Sequence, residues 1–455
     1  MAVASGAPEQ LMGLVPKPSG LRGIRNKIHN IYPVGNSGNS AFSYNGQSQI
    51  VFNIPSFKSS WLNPQRTYLR YKFKSDVGSF PVGGVHPFSR LQLRVGNSVV
   101  EDILSYDVLD RLHKNMESYC SKKTSSYMSG DMRAEEISDQ TTLMDIFNNG
   151  TTIEHGLISG VLGRDFNDHY IPIGFFNQSG TEAMSLTLHL NDPNMVCVTA
   201  GVGDHGYELT EVELVTEIVE LPSSVNERLD KELYNGGKVS LPFATHRLHI
   251  NHIPQGSQQV EIQILDNAMD LENIIMATRK QSLLPISDYA GAGNSNFDFE
   301  LGHGDRATAD TDVAYATNKL KTLQFSFDTQ LYPQKRLENS ERDTKATMLH
   351  NLATLDLWKD DAYFGGYNGD GKAVFDNFGT FFMAQSFKTS RDKDLNNAIN
   401  ASATGAGVMC SIGLAKPATS PLRIETFVKG NYTLNIGRGG TTTVLNATSR
   451  ETPVA

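Results

Sequence analysis

Residues 91–103, LQLRVGNSVVEDI, decide the fold, because residues 323–335, LQFSFDTQLYPQK, repeat them in kind. Leu91, Leu93 and Val95 alternate with Gln92 and Arg94, and Leu323, Phe325 and Phe327 keep the same period. A period of two turns one face of a strand to a core and the other to water. A helical pattern follows each stretch. The first runs from about Ser105 to Cys120, with Val108, Leu109, Leu112, Met116 and Tyr119 on one stripe. The second runs from about Ser340 to Trp358, with Met348, Leu349, Leu352 and Leu355 similarly spaced. Ser105, and Asn339 or Ser340, suit the N-caps, since their side chains accept from unpaired backbone N–H groups. The two stretches lie about half a chain apart, so the polypeptide reads as one fold used twice.

The rest of the chain agrees. Alternation recurs at Leu69, Tyr71, Phe73, at Leu186, Leu188, Leu190, at Val260, Ile262, Ile264 and at Tyr432, Leu434, Ile436. Parallel α/β sheets would instead show continuous apolar runs between long helices. With 40 glycines and 18 prolines for turns, 455 residues suit two all-β domains of roughly 200 residues each. Pro222, Ser223 and Ser224 break the strand pattern, and a polar stretch continues to Gly237. The expected division is an N-terminal arm 1–35, a first unit 36–224 and a second unit 225–455. Residues 246–264 read as a hairpin turning at Pro254 to Gly256. Three segments, about 121–165, 285–318 and 388–420, read as long loops projecting as a tower or as subunit-clasping arms.

Charge and cysteine usage narrow the function. A net charge of −9 argues against a protein that grips nucleic-acid phosphates, and no sequence-specific nucleic-acid partner is expected. Residues 1–30 are a local exception, with Lys17, Arg22, Arg25 and Lys27 against the single acid Glu9. They read either as a solvated terminus or as a basic arm lying against anionic material or a neighbouring subunit. Cys120, Cys197 and Cys410 are far apart and odd in number, the pattern of a chain folded in a reducing compartment. No signal-peptide pattern opens the sequence, and no stretch approaches the ~20 apolar residues that span a bilayer.

Motifs that carry chemistry are weak. Gly201, Gly203 and Gly206 spell a dinucleotide-like pattern, but the strand-like YELTEVELVTEIVEL follows where a helix N-terminus must hold the pyrophosphate. His246, His249 and His252 sit at metal-like spacing, yet on a strand His249 points away from the other two. Asn368-Gly369-Asp370-Gly371 lacks the ligand run of a calcium loop and reads as a turn. No catalytic, metal or cofactor residues are assigned, and the expectation is a protein that is not an enzyme.

The series SQIVFNIP, TYLRYKFKS and RLQLRVGNSVVEDILSYDVLDRLHKNM, with Glu101-Asp102-Ile103 leading into Tyr106-Asp107, resembles major capsid proteins of the double jelly-roll lineage, especially those of virophages and polinton-like viruses. In the second half, FSFDTQLYPQK with Tyr332-Pro333, then Phe375, Phe378, Phe381, Phe382 and Phe387, and the closing TTTVL strand fit the same pattern. The resemblance covers about residues 40–450 and rests on the order of elements. The characteristic opening of the larger algal and giant-virus capsid proteins is not found. The resemblance implies two consecutive eight-stranded antiparallel jelly rolls with one short helix inserted in each. It further implies homotrimers that form pseudo-hexagonal capsomers of an icosahedral double-stranded DNA virus shell. Implied partners are other copies of the chain, penton and minor capsid proteins, and an internal membrane reached by an inward arm carrying Lys17, Arg22, Arg25 and Lys27. No cofactor is implied. Two alternatives stay open: a double jelly-roll enzyme or lectin acting on glycans, for which Trp61 and Trp358 are the only tryptophans, and a minor capsid or spike protein.

Overall fold

The computed structural model describes residues 25–446 apart from 36–39, 56–59, 82–83, 97, 117–144, 164–168, 176–183, 200–205, 222, 236–237, 267, 269, 282–298, 300, 302–317, 340–343, 356–380, 389–397, 402–406 and 438–441. The first half contains β1 (Arg25–Ile31), β2 (Gln49–Ile54), β3 (Ser60–Ser75), β4 (Ser79–Pro81), β5 (Phe88–Val95), β6 (Ser98–Leu104), helix α1 (Tyr106–Met116), β7 (Thr151–Gly156), β8 (Met184–Leu190), β9 (Cys197–Thr199) and β10 (Tyr207–Glu220). Helix α2 (Ser223–Tyr234) then leads to β11 (Val239–Ile253), β12 (Gln259–Ile264), β13 (Leu271–Lys280), β14 (Leu320–Phe327), β15 (Gln330–Glu338), helix α3 (Lys345–Thr354), β16 (Met383–Ser386), β17 (Val408–Leu414), β18 (Leu422–Ile436) and β19 (Thr442–Asn446).

The two halves have one topology. In the first, β1-β10-β3-β7 faces β2-β8-β5-β6; in the second, β11-β18-β13-β16 faces β12-β17-β14-β15. All these neighbours are antiparallel. Set aside the small β4-β9 pair and β19, which extends the sheet beside β18, and the strands correspond one to one. Each inserted helix lies between the fifth and sixth strands of its sandwich. Each half is therefore an eight-stranded jelly roll, and the chain is a double one.

Alternation is what builds the cores. Leu91, Leu93 and Val95 of β5 and Leu186 and Leu188 of β8 are fully buried, as are Leu323, Phe325 and Cys410 in the matching layer of the second roll. In the first core Tyr71 meets Phe88 edge-on at 5.7 Å, and Phe73 stacks on Tyr207 at 5.5 Å. Each such side chain contributes about 1.5–3 kcal/mol on leaving water. The register of β10 against β3 shifts twice, between Thr210 and Glu213, where Glu211 takes a left-handed φ of 52°, and between Val215 and Glu217.

Several sequence expectations change. Pro254 to Gly256 form a turn, with Gly256 at φ 82°, but β11 and β12 do not pair. β11 joins β18 and β12 joins β17, so the chain crosses from one sheet to the other instead of folding back as a hairpin. Residues 388–420, expected as a loop, contain β17, a central strand; likewise β7 lies within 121–165. The polar run after Pro222 is helix α2, whose Asn226 side chain accepts from the Trp61 indole N–H at 3.2 Å. Finally, Arg25–Ile31 leaves the arm expected over 1–35 and pairs with β10 from Arg25↔Glu220 to Ile31↔Leu214. A strand of mixed polarity forms there because an edge partner supplies its backbone hydrogen bonds. Of the two expected helices the described parts are α1 and α3, and the cap of α3 is unconventional. Thr344 makes no side-chain capping bond, while Asn339 accepts from the Thr347 backbone N–H at 3.1 Å.

Candidate functional site

Two places in the fold concentrate buried charge: the floor beneath α1, and the seam where the first roll meets the second. Beneath α1, Asp110 points inward. Its Oδ2 lies 2.5 Å from His86 Nδ1, 3.6 Å from His155 Nε2 and 3.8 Å from Lys114 Nζ one helical turn on. His86 and Asp110 are 2% and 4% exposed, so no substrate reaches them. Burial pushes the Asp110 carboxyl up, but the facing His155, Lys114 and His86 outweigh it and leave it well below the carboxylate range. Burial, helped by Lys114, lowers His86 to about 4 despite Asp110. At neutral pH the centre is thus an ionised Asp110 accepting from a neutral His86. A His–Asp pair sealed this way orients a helix.

The seam is built by β6, α1 and residues 157–163 of the first roll against β11, β13, β18 and β19 of the second. Glu101 of β6 is the pivot on one side. It accepts from the Ser159 hydroxyl, from Gly160 N at 2.7 Å and from Val161 N at 3.4 Å. These bonds lower its pKa, but burial wins and raises it. Gly160 then lies so close to the second roll that an added Cβ would sit 1.8 Å from the Ala244 carbonyl oxygen. Only glycine fits.

On the facing sheet, Glu425 is fully buried and accepts from Arg279 at 2.7 Å, with Arg423 at 3.0 Å. Ser105 of the first roll donates to the same carboxylate at 3.1 Å. Burial works against the Arg279 charge, yet Glu425 and Asp107 hold its pKa above the ordinary value. Asp107, at the start of α1, is raised by burial although Arg279 pulls it down. His113 of α1 meets His246 of β11 edge-on at 5.4 Å, and Thr442 and Ser98 exchange bonds with Val95 and Thr442 carbonyls at 3.0 Å. Once buried, charges this well paired are costly to separate. The rolls form one block.

The residues singled out from sequence fare differently. Arg25 opens β1, and Lys27 Nζ pairs with Glu220 at 3.5 Å on an exposed edge. Lys17 and Arg22 lie outside the described residues. His246 is buried at the seam, where burial, then His113 and Lys429, hold it well below its ordinary pKa. His249 instead pairs with Asp266 at 2.9 Å. Among the described residues no group of His, Cys, Asp and Glu is arranged to hold a metal. Trp61 is 1% exposed and offers no platform for a sugar; Trp358, Cys120 and residues 368–371 lie outside the described residues. Asp110, Arg279 and Glu425 were not singled out from sequence, and Glu101 entered only within the Glu101-Asp102-Ile103 run, without a role. A signal existed for Glu101, an acid on the inward phase of a strand beside Ile103.

Neither a family model nor a curated protein sequence matches the chain. Solved structures do. The VP54 capsid protein of PBCV-1, fitted into a reconstruction of the virophage Sputnik, matches with a TM-score of 0.60 at 9% identity, over 95% of this chain and 99% of that one. The Faustovirus major capsid protein matches at 0.53 with 10% identity, over 92% and 91%. The mavirus major capsid protein matches at 0.51 with 9% identity, over 99% and 97%. Strand order, helix position and these end-to-end superpositions agree: the chain has the double jelly-roll fold of viral major capsid proteins.

Proposed function

We propose that the chain is a major capsid protein, and that its homotrimers form pseudo-hexagonal capsomers in the icosahedral shell of a double-stranded DNA virus. The observation that carries this is the duplication itself. Two rolls of identical topology, joined by a buried seam, make a block with two like lobes, and three such blocks round a threefold axis present six. Closed sandwiches also hide most strand edges, which a densely packed tile requires. The division near 224/225 falls at α2, in keeping with two units. Cys197 and Cys410 are buried free thiols whose pKa burial pushes up, which suits assembly in a reducing compartment of the host before release in the virion. Penton and minor capsid proteins are the further partners of such a shell, and a basic segment with Lys17 and Arg22 would face an internal membrane.

Sedimentation of the purified chain tests the reading. The expected species has three times the 50.0 kDa chain mass and persists on dilution, as large interfaces do. A monomer at every concentration and salt level would overturn it.

A further inference from the structure

Most buried charges at the seam face a partner of opposite sign, and one contact does the reverse. His246 of β11 and Lys429 of β18 are cross-strand neighbours, so both stand on the outer face of the second-roll sheet. Against them α1 of the first roll lays His113, its ring edge-on to that of His246 at 5.4 Å. His246 is 3% exposed and His113 is half-buried. Two imidazoles and an ammonium, drawn from both rolls, share one place.

The neighbouring acids are engaged elsewhere. Glu272 of β13 takes the Lys429 ammonium at 3.1 Å and pairs with Lys388 as well. Glu425 of β18 is held by Arg279 and Arg423. On α1, Asp107 answers to Arg279 and to Arg111, while Asp110 turns to Lys114 and to His86 on the floor of its own roll. Glu101 of β6 accepts from Ser159, Gly160 and Val161. The charges that act on His246 are those of His113 and Lys429, and each disfavours a proton on it.

We infer that this contact is an acid-sensitive latch between the two rolls: once the imidazoles of His113 and His246 are protonated, they and Lys429 repel one another and α1 parts from β11, while each roll keeps its own sheets. A block latched in this way holds at neutral pH and yields in mild acid. The latch belongs to the single chain and does not depend on how copies associate.

The direction follows from burial. With the seam closed, burial, then His113 and Lys429, hold His246 well below its ordinary value. Opening returns the ring to water and to a value of about 6.5. The open form therefore binds more protons and gains population as the pH falls through that value. Asp107, raised by burial, is protonated more readily in the closed form and opposes the change. Glu101 is raised likewise, but its bonding partners lie on its own roll and travel with it. Ordinary carboxyl values lie roughly two units below that of imidazole, so on leaving neutrality the histidines respond first.

Access to a buried position on the same face tests the latch. Ala277 of β13 pairs with Glu425 and is fully buried, so Ala277→Cys places a thiol on the covered face. In the full chain its rate of reaction with 4,4′-dithiodipyridine, which attacks thiols in acid too, is divided by the rate for the urea-denatured chain at each pH. Peptide mass spectrometry separates this position from Cys120, Cys197 and Cys410. The ratio should rise about tenfold or more from pH 7 to pH 5, as one net proton taken up on opening requires, with far-ultraviolet circular dichroism unchanged. His246→Gln in that background should remove most of the rise. So should His113→Gln, which alters the half-buried ring and spares the sheet. A ratio that stays flat in the parent chain would overturn the inference, as would a rise that survives both glutamines. A rise removed by His86→Asn but by neither glutamine would assign the acid response to the floor beneath α1 instead.

Discussion

Helices α1 and α3 occupy the same place in the two rolls, yet they are anchored by opposite chemistry. Under α1 the anchor is ionic: Asp110 with His86, His155 and Lys114. Under α3 it is neutral. Asn351 donates to the Phe382 carbonyl at 2.7 Å and accepts from Ala384 N at 3.0 Å, while Asn339 holds Thr347 and donates to the Leu320 carbonyl at 3.1 Å. Topology demands a helix with one polar inward contact at this point; it does not dictate which. The ionic version sits where the helix is covered on both sides, by its own roll and by the seam. Water cannot reach Asp110 there, so several partners must neutralise it.

Removing the ionic anchor should have the largest effect. In Asp110→Ala the Lys114 ammonium stays 11% exposed with no facing carboxylate from this centre, and the His86 imidazole loses its acceptor. A loss of about 3–5 kcal/mol is expected in chemical denaturation of the chain. An Asp110→Ala chain within 1 kcal/mol of wild type, roughly the value of an exposed ion pair, would show that the cluster is not a charged centre.

The neutral anchor should cost less. Asn351→Ala leaves the Phe382 carbonyl and the Ala384 N–H without this partner, a loss of about 2–3 kcal/mol. Because α3 has an outer side open to solvent, water can reach parts of its surroundings, which α1 denies. Finding Asn351→Ala as damaging as Asp110→Ala would erase the distinction between the two anchors.

Much of this was readable in the residues, and the exceptions share a cause. Alternation at Leu91 to Val95 and at Leu323 to Phe327 announced the strands, and the stripes after them announced both helices, since each is a local period. The hairpin at Pro254 to Gly256 misled because a turn residue signals a turn but not which sheet receives the next strand. That choice is made by β17 and β18, which lie more than a hundred residues onward. Helix α2 went unread because SSVNERLDKELY carries few apolar residues; it is secured through Asn226 on Trp61. The seam was illegible for the same reason. Glu101, Arg279 and Glu425 look like ordinary surface charges along their own strands, and only the docking of two rolls buries them. Charge placed on an inward phase is the one local clue.

Acid offers the smallest and most selective comparison. His86 has a folded pKa of about 4, below its unfolded value near 6.5. Its unfolded form therefore binds more protons between those limits, so stability falls as pH drops through that window. His155 and His246, also lowered by burial, act in the same direction. Glu101 and Asp107, raised by burial, take up protons in the folded state and act against it. The net loss around α1 should be on the order of 1–2 kcal/mol from pH 6.5 to pH 4. The inward anchor of α3 consists of amides that do not titrate there, although the half-buried His350, lowered by burial, adds a minor share. Amide hydrogen exchange measured along the intact chain separates the two, since local opening is read helix by helix. Protection of α1 should fall relative to α3 on acidification, and substitution His86→Asn should flatten that fall. Equal losses of protection in both helices would mean that the buried imidazoles, and not merely their number, have been assigned the wrong charge state.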